Sequence, residues 1–137
     1  MSKRKVRDII ARKDVVQLSA TATVREASRL MAEQGVGAVL VMAGEDIEGI
    51  FTERDALKRV LAQGRDSEVT TLAEVMTRQM VTLDPDAFAL DALRLMSEVG
   101  VRHVPIVDQG KVIGIISLRD FVGAELQQAG RRWRTPK

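Results

Sequence analysis

The chain has 137 residues, 45% of them hydrophobic and 29% charged, with a net charge of only +2. That supplies enough apolar material for a core and excludes a disordered chain, in a length that suits one compact domain or two small ones sharing a core. The absence of cysteine excludes disulfides, thiolate zinc sites and a cysteine nucleophile. The longest near-apolar runs, Val36–Ala43 and Val112–Ile116, are far too short to span a bilayer, and the N-terminus has no signal-peptide stretch, so a cytoplasmic protein is expected.

Residues 6–11 predict a short helical lead-in, followed by an extended piece, Val15-Val16-Gln17-Leu18. Val24, Ala27, Leu30, Met31 and Gln34 recur at helical spacing. Thr23 with Glu26 makes a capping box at the helix start, and Gly35 suits the left-handed C-terminal cap. Gly37–Met42, the turn Ala43-Gly44-Glu45-Asp46 and Ile47–Phe51 predict a hairpin. A second helix is expected from Thr52, with Ala56, Leu57, Val60 and Leu61 on its inner face. Residues 62–71 form a polar connector.

The pattern then starts again. Leu72–Thr77 answers the lead-in with one residue of slippage, and Met80-Val81-Thr82-Leu83 answers the extended piece. Ala89, Ala92, Leu95, Met96 and Val99 mark the next helix, ended by Gly100. Phe88 stands where Thr23 stood, so that cap is lost, at a typical cost of about 1 kcal/mol; Asp86 is expected to start this helix one turn early. Arg102–Val107, the turn Asp108-Gln109-Gly110-Lys111 and Val112–Ile116 form the second hairpin. Ser117 begins a last helix with Phe121, Val122 and Leu126 on its inner face.

Shifting residues 14–57 by 65 positions places them on residues 79–122 without a gap. Each half reads β-α-β-β-α, which predicts an α+β fold of two pseudo-symmetric repeats, residues 1–66 and 67–137, sharing a core because each alone is of marginal size. Met31 and Met96 are expected as core filler.

The chemistry-bearing element is the hydroxyl-x-Arg-Asp box, Thr52-Glu-Arg-Asp55, repeated as Ser117-Leu-Arg-Asp120. One reading is purely structural, since Ser/Thr-x-x-Asp is a capping signature that satisfies orphan amides. The other is a nucleotide site. A helix start offers amides and a positive dipole end to an anion, Arg54 or Arg119 adds a phosphate-matching fork, and Asp55 or Asp120 can accept from ribose hydroxyls.

On Val15–Leu18, Thr23–Ala27, Gly35–Val41 and Gly49-Ile-Phe-Thr-Glu-Arg-Asp55, answered by Val75–Thr77, Val81–Pro85, Val101-Arg-His-Val-Pro-Ile-Val107 and Gly114-Ile-Ile-Ser-Leu-Arg-Asp120, the chain resembles a tandem pair of cystathionine-β-synthase (CBS) domains, a Bateman module of the stand-alone bacterial type. The resemblance covers about residues 6–128. It implies small mixed sheets flanked by helices, and a non-enzymatic sensor binding adenine nucleotides (AMP, ADP, ATP or NAD(H)) as regulatory ligands in clefts between the repeats. By position, Thr52 and Ser117 would contact phosphate or ribose, Asp55 and Asp120 the ribose, and Arg54 and Arg119 the phosphate. Val16 and Val81 would flank adenine, with Gly37 and Ala38, or Arg102, His103 and Pro105, at the middle strands. Arg102 and His103 can reach phosphate where Gly37 and Ala38 cannot, so the second site is expected to bind phosphate better. The resemblance also implies homodimers and, with no fused effector domain, an output in trans through a partner protein.

Other chemistries find little support. His103 is the sole histidine and has no partner acid or nucleophile beside it. There is no phosphate-loop motif, Gly35-x-Gly37 lacks the third glycine of a dinucleotide fingerprint, and no cluster has metal-ligand spacing. Lys3, Arg4 and Lys5, and Arg131, Arg132, Arg134 and Lys137, read most simply as solvated tails. The sharper alternative is a nucleic-acid or acidic-partner contact through the tail with Trp133, which an aromatic content of 3% does little to support. A ligand-free adaptor in which the boxes are only caps stays open beside the sensor.

Overall fold

The computed structural model describes residues 4–10 and 15–121. Ala11, Val122, Leu126, Lys3 and the Arg131–Lys137 tail with Trp133, all named above, lie outside the described residues. The chain divides into two compact units, Val15–Met80 and a second made of Met1–Asp14 with Val81–Lys137.

The unit Val15–Met80 holds a three-stranded sheet in the order β1 (Gln17–Leu18), β2 (Ala38–Ala43), β3 (Asp46–Thr52). β1 runs parallel to β2, and β2 and β3 form an antiparallel hairpin with a bulge between Val41 and Met42. The helix Val24–Gln34 starts at the predicted Thr23–Glu26 capping box and ends at Gly35 in the left-handed region, φ 67°. Its buried face is Val24, Ala27 and Met31; Gln34, expected on that face, is exposed. After β3 a short α-helix, Glu53–Asp55, continues as a π-helix, Ala56–Leu61.

That wider winding corrects the expected inner face. Val60 is buried and Ala56 packs against the core, but Leu57 and Leu61 are 59% and 70% exposed. Adding a residue per turn rotates them away from the line the 3.6-residue period gives them.

The other unit carries the antiparallel hairpin of β4 (His103–Asp108) and β5 (Lys111–Ser117), bulged at the equivalent point between Ile106 and Val107. Its long helix, Ala89–Val99, buries Ala89, Ala92, Leu93 and Met96. Leu93 is buried, whereas Val99, assigned to the inner face by periodicity, is 47% exposed. The early start at Asp86 does not occur: Phe88 is the cap residue, without a side-chain bond. Asp86 instead sits in a turn, paired with Arg7 at 2.9 Å. The helix expected from Ser117 is, among the described residues, a single 3-10 turn, Leu118–Asp120, after which Phe121 is extended and buried.

The extended piece around Val81 forms no strand, only a single parallel bridge, Leu83 to Ile106. Pro105 explains the loss. In the first repeat the Leu40 N–H bonds the Val16 carbonyl at 2.9 Å and helps build β1. Pro105 occupies the Leu40 position and has no N–H. Because that N–H points away from the hairpin partner, the β4–β5 ladder survives the proline.

Each unit contains the lead-in of the opposite sequence repeat. The helix Val6–Ile10 docks beside the second repeat: Val6 N–H bonds the Ala87 carbonyl and Arg7 N–H the Pro85 carbonyl. The helix Leu72–Val75 docks beside the first: Leu72 N–H bonds Ala22 and Ala73 N–H bonds Ala20. Val6 and Ile10 are buried in one core; Leu72, Val75 and Met76 are buried in the other. The sequence repeats at 1–66 and 67–137 therefore trade their lead-in segments on folding.

The repeated glycines Gly49 and Gly114 mark where each exchanged lead-in presses on a hairpin. A Cβ on Gly49 would stand 2.8 Å from Met76 Sδ and from the Thr77 carbonyl; one on Gly114 would stand 3.1 Å from Ile10 Cβ. Gly49→Ala should destabilise the chain by roughly 1–3 kcal/mol, and Gly114→Ala by less, measured as urea midpoints. The second lead-in is also capped by a titratable group. The Thr71 amide and hydroxyl, with Arg65 nearby, hold the Glu74 carboxyl below the usual carboxylate range. A depressed folded pKa gives stability that is present above the ordinary glutamate value of about 4.3 and lost as pH falls through the folded value. Glu74→Gln should therefore shrink the acid-side fall in stability, read as urea midpoints between about pH 5 and pH 3.

Candidate functional site

In both repeats the box sits where the hairpin's last strand turns away. Thr52 lies opposite Ala38 in the β2–β3 ladder, and Ser117 lies opposite His103 in the β4–β5 ladder. The residue after each hydroxyl ties back to the opposite strand: Glu53 N–H bonds the Gly37 carbonyl at 3.0 Å, and Leu118 N–H bonds the Arg102 carbonyl at 2.9 Å. The structure thus brings Gly37, Ala38 and Thr52 together in one unit, and Arg102, His103 and Ser117 together in the other. The same two bonds correct the simple dipole argument, because the first amide of each turn is already engaged.

The carboxylates act first as caps. Asp55 Oδ2 accepts from the Thr52 amide at 3.0 Å and from its hydroxyl at 3.2 Å, while the Asp55 amide donates to Thr52 Oγ1 at 3.3 Å. Asp120 Oδ2 accepts from the Ser117 amide at 2.7 Å and from its hydroxyl at 3.2 Å. These bonds fix each carboxylate against the strand end, in the geometry of a capping box.

Around that shared frame the repeats differ. Asp55 is 6% exposed. Its Oδ1 accepts from Thr77 Oγ1 at 3.0 Å and lies 3.6 Å from Arg59 Nε. Arg59 in turn donates to the carbonyls of Val75 and Met76 at 3.3 and 3.0 Å. Sequence reasoning missed Arg59 and Thr77. The signal available was i,i+4 spacing of Arg59 from Asp55, but Thr77 comes near only because the lead-in is exchanged.

Asp120 is half-buried, with Arg4 donating to its backbone carbonyl at 3.3 Å. Arg54, Arg102 and Arg119 have exposed side chains, and His103 is half-buried. Val16 and Val81 are half-buried beside the middle strands, and Pro105 is buried. The Val16 carbonyl is taken by Leu40 N–H, whereas no described backbone donor reaches the Val81 carbonyl. The Pro105 carbonyl accepts from Leu83 N–H at 3.1 Å, which anchors the Val81 segment one residue further along.

A separate basic cleft of about 410 Å³ is lined by Lys58, Arg59, Gln63, Arg65, Glu74 and Val75. It contains none of the predicted site residues. Among the described residues no group of histidine and carboxylate side chains could hold a metal ion, and no helix is long and apolar enough to cross a membrane.

Each repeat gathers a hydroxyl, an arginine and a carboxylate at a strand end, groups suited to recognising hydroxyls and anions. Asp55→Asn should cost about 1–3 kcal/mol by leaving buried donors poorly matched, and Asp120→Asn should cost less, compared as urea unfolding free energies.

Comparison with known proteins agrees with the repeat. The family model of the CBS domain matches residues 6–62 and again 72–126. The chain is 36% identical over 118 residues to an uncharacterised protein of Methanopyrus kandleri, covering 85% of this chain and 60% of that one. It thus spans less than two thirds of that relative's length. The crystal structure of the CBS domain NE2398 superposes with a TM-score of 0.82 at 34% identity, covering 92% of this chain and 97% of the other. A CBS domain protein of Pyrobaculum aerophilum, PAE2072, solved in complex with AMP, superposes with a TM-score of 0.79 at 25% identity, covering 91% and 97%.

Proposed function

The chain is a tandem pair of CBS domains and belongs to that family, and on this premise we propose that it is a non-enzymatic regulatory module that binds an adenine nucleotide. AMP, ADP, ATP and NAD(H) are the candidate ligands. The output passes through self-association or through a partner protein in trans, because a ligand shifts such an equilibrium only by binding one state better than another.

The observation that carries this reading is the placement of the two boxes. Each puts a hydroxyl, an arginine and a carboxylate at a strand end, directly opposite the start of the middle strand. A carboxylate pre-oriented by its own cap can accept from vicinal ribose hydroxyls, and the flanking arginine suits a phosphate. The AMP complex of the Pyrobaculum relative supports the ligand class.

One observation favours the ligand-free adaptor instead: both carboxylates already satisfy a cap. The two readings separate in a thermal-shift panel of AMP, ADP, ATP, NAD, NADH and S-adenosylmethionine, with GTP as control. A nucleotide at 100 times its dissociation constant should stabilise the chain by about 2.7 kcal/mol, a rise of several degrees for a domain of this size. A selective adenine response is expected. A flat panel on folded, ligand-free protein would leave the adaptor.

A further inference from the structure

We propose that the first repeat carries an anion-binding cleft, outside the boxes, that takes a small ligand bearing two or more phosphate groups. The cleft is the one of about 410 Å³ lined by Lys58, Arg59, Gln63, Arg65, Glu74 and Val75, a volume in the range of small-molecule sites. None of these residues belongs to a box, so the site is independent of the nucleotide reading above. All six lie within the unit Val15–Met80.

The backbone builds this cleft in a way that a regular α-helix would not. Ala62 N–H bonds the Leu57 carbonyl at 2.9 Å, and Arg65 N–H bonds the Val60 carbonyl at 3.0 Å, each across five residues. Such π winding recurs at functional sites. Here it returns Gln63 to Lys58, whose carbonyl accepts from Gln63 Nε2 at 3.5 Å. Gly64, in the left-handed region at φ 69°, then turns the chain. Arg65 meets the exchanged lead-in helix there, with Nη1 3.5 Å from Glu74 Oε1. Arg59 reaches the end of the same helix through the carbonyls of Val75 and Met76. Both guanidinium groups are therefore held by the lead-in before any ligand arrives.

The spare donors select the ligand. A guanidinium has five N–H donors. Arg59 directs Nε to Asp55 and Nη1 to two carbonyls, and Arg65 uses Nη1 alone. Among the described residues nothing engages Nη2 of either arginine, and the Lys58 ammonium has no ion pair. The single carboxylate of the lining is Glu74, so three cations against one anion leave a surplus of two positive charges. Its contact with Arg65 is long and half-exposed, and such a pair is easily given up. Forked donors beside an ammonium match phosphate oxygens. The lining contains no aromatic ring and only one apolar side chain, Val75, which gives a nucleobase nothing to stack on. Phosphate groups are thus the recognised part.

The repeat supplies a control. Under the offset of 65, Lys58, Arg59 and Arg65 are answered by Gly123, Ala124 and Gly130. The sequence keeps the hydroxyl-x-Arg-Asp box twice but the three cations once. Ser117 and Asp120 cap their turn without them, so capping does not demand the cations. Arg59 has a structural task at Asp55, whereas Lys58 has none that the described residues show.

The test is isothermal titration calorimetry of the full chain with inorganic pyrophosphate, at about 0.15 M salt, where diffuse surface attraction is screened. The runs are made with and without saturating AMP, and citrate serves as the carboxylate counterpart. One pyrophosphate per chain is expected, with an affinity that AMP leaves unchanged. Lys58→Ala and Arg65→Gln, both at exposed positions, should each weaken it roughly tenfold. Glu74→Gln should tighten it several-fold, because a like charge leaves the cleft. Arg29→Ala, an exposed cation of the same unit outside the lining, should change nothing. Urea midpoints confirm that each variant is folded. Absence of pyrophosphate binding, or equal weakening by Arg29→Ala, would overturn the cleft as a site. Citrate binding as tightly would overturn the phosphate class. Competition by AMP would place pyrophosphate at a nucleotide site and overturn the separate cleft. Failure of AMP alone to bind would count against the nucleotide reading and leave the cleft standing.

Discussion

The exchange of lead-in helices is the constraint on which the rest of the structure depends. A repeat of this size is marginal as an isolated domain. Each hairpin-and-helix unit completes its core with side chains from the other repeat's lead-in, Val6 and Ile10 in one case and Leu72, Val75 and Met76 in the other. The backbone bonds that dock the two lead-ins correspond one for one: Val6 to Ala87 and Leu72 to Ala22, Arg7 to Pro85 and Ala73 to Ala20. The contact leaves no room for a Cβ at Gly49 and is tighter than ordinary packing at Gly114. Because the docked lead-in arrives beside the hairpin end, it also decides what surrounds each box. Thr77 closes on Asp55 for that reason.

The boxes show how one local motif serves two ends. A hydroxyl and a carboxylate three residues apart first solve a backbone problem, satisfying the amides exposed where a strand turns into a helix. The same bonds pre-orient a carboxylate at a strand end, which is what recognition of a ribose needs. On the proposed reading, capping and binding are successive uses of one geometry. The surroundings of the two carboxylates differ: Asp55 is nearly buried among Thr52, Thr77 and Arg59, whereas Asp120 is half-buried beside Ser117.

Much of this was legible in the sequence because the repeat reports on itself. The hairpins, the helix ended by Gly35 and its partner ended by Gly100, and the methionine core positions follow from short-range pattern and from the offset of 65. What escaped is long-range or depends on backbone detail. The π-helical winding of Ala56–Leu61 turned Leu57 and Leu61 outward, which a 3.6-residue period cannot foresee. Asp86 was lost as a helix start because Arg7, distant in sequence, competes for it. The change of offset from 65 to 66 at the lead-ins was visible, but its meaning, an exchange between repeats, needed the structure. Pro105 was readable as part of a motif, while its effect on the Val81 segment required knowing which neighbour the missing N–H would have bonded.

Hydrogen–deuterium exchange of the full chain, with and without saturating AMP, tests the central claim most directly, since it reads both repeats in one experiment. The account predicts that AMP slows exchange in at least one of the segments that carry a box, from Gly37 to Asp55 or from Arg102 to Asp120. Unchanged exchange in both segments would contradict it.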